Sequence, residues 1–332
     1  MPRVSVVIPL YQTEAYIGAA LGSAVAQTFR DIEIIVVDDG SRDAGPRIAG
    51  AWPDPRVRVI TQENRGLAGA RNTGIRNATG EFVALLDADD IWLPEKLQRH
   101  VAQFDADPAI DVSFSASRLV GADGEDLGLT QSPLDRDFSA ANMFCRNPIG
   151  NGSAPVLRRT ALERIAFEDA ERGRVCWFDE SFRQSEDVEC WMRLKVVGEC
   201  RFGYVPEALT LYRVNSGGLS ANIEAQLATW RRFRDKVATY APDVVAQHGA
   251  RAEAYQLRYL ARRAVRSDDR AAGLRLAWQA LRLHPRMLGE EPMRTGSTVL
   301  AALAKRLLPL AAFRRLEAGA VAAIAARPAL RA

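Results

Sequence analysis

Short apolar runs closed by polar, turn-forming residues recur through the first hundred positions. They alternate with segments whose apolar residues return every three or four. Val4-Ser5-Val6-Val7-Ile8, Glu33-Ile34-Ile35-Val36-Val37, Val57-Arg58-Val59-Ile60 and Phe82-Val83-Ala84-Leu85-Leu86 are too short for helices and read as strands. After the first of them, Ile17, Ala20, Leu21, Ala24 and Val25 share one helical face. After the fourth, Pro94 opens a helix at its first turn, with Leu97, Val101 and Phe104 facing inward. Uninterrupted apolar strands are buried on both faces, and their alternation with helices predicts an α/β fold. The expected sheet is Rossmann-like, mostly parallel and flanked by helices.

From about 110 to 220 the pattern is less regular, with strands expected near 110–120 and 201–212. Thr160 and Glu163 have capping-box spacing and predict a helix start at Thr160. A further helix is expected from Ser185, carrying Val188, Trp191 and Met192 inward and stopping at Gly198. Beyond 221 strand signals vanish. One amphipathic helix is marked by Leu227, Trp230, Val237 and Tyr240, a second by Leu257, Leu260, Ala261 and Ala264, and a third by Leu274, Ala277, Trp278 and Leu281. Residues 297–327 read as one or two Ala/Leu-rich helices split at Pro309, completing an all-helical C-terminal extension. The Asp268–Pro285 stretch resembles half of a helical-hairpin repeat, but no second copy follows at a fixed period.

Composition narrows the classes. The 332 residues are 48% hydrophobic and 26% charged, the profile of a soluble globular protein with one large domain plus an extension, or two domains. The chain enters a strand by Val4, so no secretory leader is expected. Lys305-Arg306 and Arg314-Arg315 break the apolar stretches near the C-terminus, so no transmembrane helix is expected either. Cys145, Cys176, Cys190 and Cys200 form no CxxC pair and fit reduced thiols in a cytosolic protein. Three scattered histidines, His100, His248 and His284, argue against a His-rich zinc site and a Ser-His-Asp triad. Charge is divided unevenly: residues 1–220 hold 24 Lys/Arg against 32 Asp/Glu, and residues 221–332 hold 20 against 9. An acidic front with a basic tail suggests two jobs, one of them attraction to an anionic surface.

The densest chemistry follows the fourth strand, at Asp87-Ala88-Asp89-Asp90. In an extended chain, positions i and i+2 point the same way, so Asp87 and Asp89 converge where ligands of open α/β sheets gather. Two adjacent carboxylates repel unless a cation lies between them, and hard oxygen donors suit Mg²⁺ or Mn²⁺. An acidic turn ending a strand would explain the same letters by itself.

Four segments together resemble the family 2 glycosyltransferases, inverting enzymes of the GT-A fold that use nucleotide-diphosphate sugars. They are Val4–Gln12 (VSVVIPLYQ), Val36–Ser41 (VVDDGS), Asn64–Gly74 (NRGLAGARNTG) and Leu85–Leu97 (LLDADDIWLPEKL). Ser185–Leu194 (SEDVECWMRL) looks like that family's catalytic helix start and Leu211–Ser220 (LYRVNSGGLS) like its closing loop. The resemblance covers roughly residues 3–220. It implies a glycosyltransferase domain over 1–220, with a nucleotide-binding half over 1–105 and an acceptor half over 106–220. The helical region over 221–332 lies outside it.

What the resemblance implies about roles agrees with the chemistry of each residue. Pro9 and Tyr11 follow the first strand, and Tyr11 can lie against a planar base or equally be a core tyrosine. Asp38 and Asp39 can accept a hydrogen bond from a base N–H, a role the resemblance puts chiefly on Asp39; Asp-Gly-Ser is also a good turn on its own. Ala88 joins the nucleotide-binding set. Arg71 suits either phosphate or a buttress for the acidic cluster. A divalent cation (Mn²⁺ or Mg²⁺) on Asp89, Asp87 and Asp90 would stabilise the departing diphosphate. Asn215 stands where many relatives carry a histidine and would be a weaker ligand, with Arg213 meeting the diphosphate directly. Asp187, with Glu186 beside it, is the expected base for the acceptor hydroxyl. A helix N-terminus should lower its pKa, and acids are enriched in first helical turns on electrostatic grounds alone. The polar turn from Asn147 to Ser153 suits a loop lining the acceptor cleft or any surface connection.

The expected partners are a nucleotide-diphosphate sugar, UDP-linked first and dTDP or GDP after it, and a glycan or lipid-linked acceptor in cell-surface polysaccharide synthesis. The basic tail suits peripheral contact with anionic membrane through Arg231, Arg232, Arg234, Arg262, Arg263, Arg266, Lys305, Arg306, Arg314 and Arg315, or a solvated helical bundle. That places the protein in the cytoplasm, at the inner face of the membrane. Nucleic acid is not expected, because the arginines lack interleaved aromatics and no such motif occurs. Pro9-Leu10-Tyr11-Gln12 is not the Gly-rich loop a nucleotidyltransferase would need, and no G-x-G-x-x-G follows the first strand. A non-catalytic nucleotide-sugar-binding or scaffolding relative, with an impaired metal shell, is the alternative.

Overall fold

The computed structural model describes residues 1–214, 223–265, 271–309, 311–313 and 315–316. Asn215, Arg266 and Arg314, and the end of the helix expected over 297–327, lie outside them. The chain resolves into two units. The first holds Met1–Met143, Asn147–Leu219 and Thr239–Ala241, and the second Phe144–Arg146, Ser220–Ala238 and Pro242–Ala332.

The first unit opens with β1 (Val4–Leu10), α1 (Ile17–Val25), β2 (Ile32–Asp38), α2 (Gly45–Gly50), β3 (Val57–Thr61), α3 (Gly66–Asn77) and β4 (Phe82–Leu85). It continues through β5 (Ile91–Trp92), α4 (Lys96–Ala106), β6 (Val112–Val120), β7 (Asp126–Gln131) and α5 (Ala140–Cys145). Then come β8 (Pro155–Arg158), α6 (Arg159–Ile165), β9 (Phe167–Asp169), β10 (Arg174–Cys176), α7 (Glu186–Val196) and β11 (Phe202–Arg213). The main sheet runs β3-β2-β1-β4-β8-β6-β11-β5, with β7 paired to β6. β3, β2, β1 and β4 are mutually parallel and β6 is parallel to β11, while β8, β5 and β7 run antiparallel to their neighbours. The apolar runs explain the parallel half: every residue of β1 and β4 is buried, as a strand covered on both faces requires. Strand order turns back at β1, which has β2 on one side and β4 on the other. Ligands of such sheets sit at the carboxyl ends of strands flanking that point. Tyr11 and Asp87 follow those two ends. Below them Phe82 stacks on Phe104, ring centroids 4.4 Å apart.

Local expectations needed correction. The fourth strand ends at Leu85, and the helix after Pro94 starts at Lys96. Thr160 caps nothing, because α6 begins at Arg159 directly out of β8. Its leading amides are used by the sheet: Arg158 N–H donates to Asp111 O at 2.8 Å and Arg159 N–H to Glu81 O at 2.9 Å. β11 slips register between Val205 and Ala208, around Pro206, which has no N–H for the ladder.

The second unit contains α8 (Ile223–Tyr240), α9 (Pro242–Val265), α10 (Ala272–Leu283), α11 (Met287–Glu290) and α12 (Pro292–Leu307). Phe144 packs on Trp230 and Phe233, at 6.3 and 5.8 Å between centroids. On α10 the expected apolar face is rotated. Ala272, Gly273, Leu276, Ala277 and Ala280 are buried, and Trp278 is 56% exposed. Small residues let α10 approach α9 closely: a Cβ at Gly273 would lie 3.4 Å from Ala261 O.

Candidate active site

Arg71 organises the acidic cluster from below. It lies on α3, 1% exposed, with Nη2 donating to Asp87 Oδ1 and Nη1 to Glu186 Oε1, both at 2.7 Å. With both ends occupied by carboxylates and no access to solvent, it buttresses the cluster and is not placed to meet a phosphate. The attraction of Asp87, Glu186 and Asp187 keeps it charged against the cost of burial. Gly152 is glycine because any Cβ there would collide with this guanidinium.

The three aspartates after β4 part company. Asp90 is fully buried, accepting from Ser153 Oγ at 2.6 Å and from Arg213 N–H at 2.9 Å. β5 causes this: its pairing with Thr210 and Leu211 folds the chain back on β11 and turns Asp90 inward, away from any ligand. Asp87 and Asp89 remain partly open. Burial and the charge of Asp87 push Asp89 up to about 6, and burial with both neighbouring carboxylates pushes Asp90 well up. Among the described residues no three Asp, Glu, His or Cys side chains converge as a ready-made metal cage. The crowded pair still fits a hard divalent cation, since Mg²⁺ is ordinarily held by one or two carboxylates together with substrate phosphates.

Ser153 and Arg213 are builders of this floor. Ser153 is fully buried, and its Oγ accepts from Asp87 N–H at 2.9 Å as well as donating to Asp90. Arg213 gives Nε to Asp89 O at 2.8 Å and Nη1 to the carbonyls of Gly121 and Ala122 at 3.0 and 2.6 Å. Its guanidinium lies 4.6 Å from the centroid of Tyr16. Asn147 ties its own turn, exchanging 3.2 Å hydrogen bonds with Gly150. Beneath Ser153 and Ala154, the fully buried Lys96 Nζ donates to Ala154 O at 2.8 Å and lies 3.2 Å from His100 Nε2. Burial pushes Lys96 down to about 7, the charge of Asp90 pulling the other way.

The nucleotide-side candidates flank the same mouth. Pro9 is buried within β1, Ala88 is buried in the acidic turn, and Tyr11 is 50% exposed. Asp38 Oδ1 accepts from Ser41 N–H at 2.9 Å. Asp39 is buried under the start of α3: Oδ1 accepts from Gln62 Nε2 at 2.6 Å and Arg65 N–H at 2.8 Å, and Oδ2 from Gly66 N–H at 2.8 Å. One lone pair of Oδ2 is left for a further donor.

Asp187 occupies the first turn of α7, where Val188 N–H donates to its Oδ1 at 2.8 Å. The lowered pKa expected of a helix N-terminus is overridden. Burial raises it, Arg71 pulls it down, and the charge of Asp87 adds to the rise. Glu186 is buried on Arg71 and pushed up to about 7, burial being the largest cause. Tyr212, in β11 just before Arg213, feels the charge of both sets of carboxylates. Its hydroxyl is pushed up by burial first, and then by the charges of Asp90, Asp87, Asp187 and Asp89.

Other participants carried no sequence signal. Glu180, its side chain 2% exposed, accepts from Arg65 Nη2 at 2.7 Å, Arg174 Nη2 at 2.6 Å and Asn72 Nδ2 at 3.1 Å, tying α3 to the segment before α7. Just beyond it, exposed Arg183 reaches over Gly66. Gly66 has φ +77°, a left-handed backbone that calls for glycine, and the Arg183 guanidinium lies over the space a Cβ would take. Ser185, two residues on, is left-handed at φ 60°. A separate cleft of about 150 Å³, lined by Ile75, Arg76, Val83, Arg159, Leu162, Glu163 and Trp177, contains none of the candidate residues.

Comparison with known proteins gives the family and the fold. Residues 5–166 match the model of glycosyl transferase family 2. The chain is 33% identical over 263 residues to the succinoglycan biosynthesis protein ExoO of Rhizobium meliloti, covering 74% of this chain and 71% of that one. It is 30% identical over 225 residues to the Escherichia coli UDP-Glc:alpha-D-GlcNAc-diphosphoundecaprenol beta-1,3-glucosyltransferase WfaP, covering 67% and 81%. With another curated relative the match is partial: 38% identity over 188 residues, covering 53% of this chain and 57% of that one. Among solved structures, Staphylococcus aureus TarS 1-349 in complex with UDP superimposes with a TM-score of 0.57 at 19% identity, covering 92% of this chain and 89% of that one. At that identity the likeness establishes the fold, a GT-A-type α/β sheet with a helical C-terminal region.

Proposed function

This chain is a member of glycosyl transferase family 2, and on that premise we propose that it moves a sugar from a nucleotide-diphosphate donor, UDP-linked first, to an acceptor hydroxyl with inversion at the anomeric carbon. The observation carrying this is that Arg71 ties Asp87, beyond the end of β4, to Glu186, the chain neighbour of Asp187 in the first turn of α7, so that the acidic turn and the start of α7 are held together.

Asp187 takes the proton from the acceptor hydroxyl as its oxygen bonds to the anomeric carbon. The sugar–phosphate bond breaks on the opposite side, and the electron pair leaves with the diphosphate. A raised pKa makes Asp187 a stronger proton acceptor while it remains ionised. Arg71 and Glu186 hold it in place and do not react. Asp89, with Asp87 beside it, is the carboxylate pair that would hold Mg²⁺ or Mn²⁺, whose charge would offset that of the diphosphate. Tyr11 lies against the base and Asp39 Oδ2 accepts from it. With Arg71 and Arg213 enclosed, Arg183 is the cation offered to the diphosphate from the rim. The names of WfaP and ExoO support a lipid-linked or glycan acceptor in cell-surface polysaccharide synthesis, which would place the work at the inner face of the membrane.

Calorimetric titration of UDP, dTDP and GDP with and without Mn²⁺ tests this. One nucleotide should bind in a metal-dependent way, and Asp89→Ala should weaken it strongly. Asp187→Asn should keep nucleotide binding and lose about 10²–10⁴-fold in turnover. Failure of every nucleotide to bind with metal present would sink the assignment. Binding with no transfer to any acceptor would favour a non-catalytic relative.

A further inference from the structure

The last long helix of the helical unit is turned inside out. α12 buries Thr295, Thr298, Ala302 and Lys305, while Met293, Leu300 and Leu307 are 81%, 68% and 76% exposed. These three recur every seven residues, so at about 100° per residue they form one stripe nearly opposite the buried set. The inward face is held by polar contacts. Arg258 Nη1 donates to Thr295 Oγ1 at 2.8 Å, Arg262 Nη2 to Thr298 Oγ1 at 3.4 Å, and Lys305 Nζ to Val265 O at 2.6 Å. A helix meeting only water reverses this arrangement, and a contiguous exposed apolar stripe marks an interaction surface.

Charge decides what the stripe meets. Arg294 and Arg306 are exposed and flank it, about 120° to either side. No Asp or Glu occurs between Pro292 and Leu316. A second copy docking on the same face would set arginine against arginine with no carboxylate to pair them. A bilayer with anionic headgroups offers both missing partners, acyl chains for the stripe and phosphates for its flanks. On α10 of the same unit, Arg282 lies 5.4 Å from the ring of exposed Trp278, an aromatic and a cation of the kind enriched at bilayer interfaces. None of the described helices is long and apolar enough to cross a membrane, so contact would be along the surface.

We propose that the outward face of α12 rests on an anionic lipid surface. Met293, Leu300 and Leu307 reach the acyl boundary, and Arg294 and Arg306 extend to the headgroups. This is independent of the donor chemistry.

The test is co-sedimentation of the full chain with vesicles of two parts phosphatidylcholine to one part phosphatidylglycerol, against phosphatidylcholine alone. Binding should favour the mixed vesicles and fall with salt. Leu300→Glu should weaken it about tenfold or more, and Arg306→Glu by a smaller factor. Both side chains are exposed, so melting temperatures should match that of the unaltered chain, a control that needs no nucleotide. Equal binding to both vesicle types, or undiminished binding by Leu300→Glu, overturns the proposal. A dimer seen by light scattering that Leu300→Glu dissolves would overturn it too, assigning the face to a second copy.

Discussion

Both units withdraw cations from water, but the partners they provide differ. In the α/β unit, Arg71 spans Asp87 and Glu186, and Arg193 is closed on Glu189 at 2.9 Å. These two are matched to carboxylates, and Arg71 ties Asp87 to Glu186 beside Asp187, whereas Lys96 and Arg213 are held by backbone carbonyls. In the helical unit, Lys305 Nζ donates to Val265 O and lies 5.7 Å from the centroid of the Phe313 ring, and Arg258 meets Thr295 and Glu291. Polar residues there form the seam between α9 and α12, leaving bulky apolar side chains facing outward. An ionic interior holds together the acidic turn and the start of α7 in one unit, and lies behind an apolar exterior in the other.

The contrast predicts where substitutions should do the most damage. Arg71→Met leaves the buried Glu186 and the partly open Asp87 without this partner and should cost about 3–5 kcal/mol, read as a lower midpoint in chemical denaturation. Arg71→Lys should not restore it, because one ammonium cannot reproduce the fork between Asp87 and Glu186. A Met variant as stable as the original would mean the cluster is held by its backbone alone. Glu180 gives the next effect, through pH. Burial would raise its pKa, but hydrogen bonds from Arg65, Arg174 and Asn72 outweigh that and hold it at about 2, below its usual 4.5. A depressed acid stabilises the fold above its unfolded pKa. Stability should therefore be complete above about pH 4.5 and decline as pH falls towards 2, by on the order of 2–3 kcal/mol. Glu180→Gln should flatten that slope in acid titrations followed by circular dichroism; an unchanged slope would place the acid sensitivity elsewhere.

What could be read in the sequence divides along the same physical line. β1, β2 and β4 were legible because strands covered on both faces need unbroken apolar runs, and the acidic turn was legible because three of its letters are acids. The duties of Ser153 and Glu180 were not. Their partners stand 63 and 115 residues away, at Asp90 and Arg65, and no local period records such a pairing. Asp90 looked like a ligand because spacing says nothing about β5 folding it inward. Trp278 looked like core because it is the largest apolar residue of its helix, whereas close approach to α9 selected Gly273 and the alanines. The stripe on α12 escaped notice for a related reason: apolar periodicity reveals that a face exists, not which side of the helix meets the protein.

Two smaller effects separate the rim of the site from the surface of the bundle. Arg183→Ala should leave folding unchanged and raise the KM for donor about tenfold, the size of one lost charge-assisted hydrogen bond. A change in kcat with KM unaltered would instead tie Arg183 to the neighbouring Asp187. Glu253 is the counter-case in the helical unit, joined to Arg231 at 2.9 Å and Arg234 at 3.1 Å, with Arg231 52% exposed. Water solvates the arginine side of this cluster, Arg231 above all, while Glu253 itself is 14% exposed, and salt screens the attraction between them. Glu253→Gln should therefore cost less than about 1 kcal/mol, shrinking further in high salt, by thermal denaturation at two ionic strengths. A loss comparable to Arg71→Met would show that the bundle, too, depends on matched ionic partners, and the contrast between the units would fail.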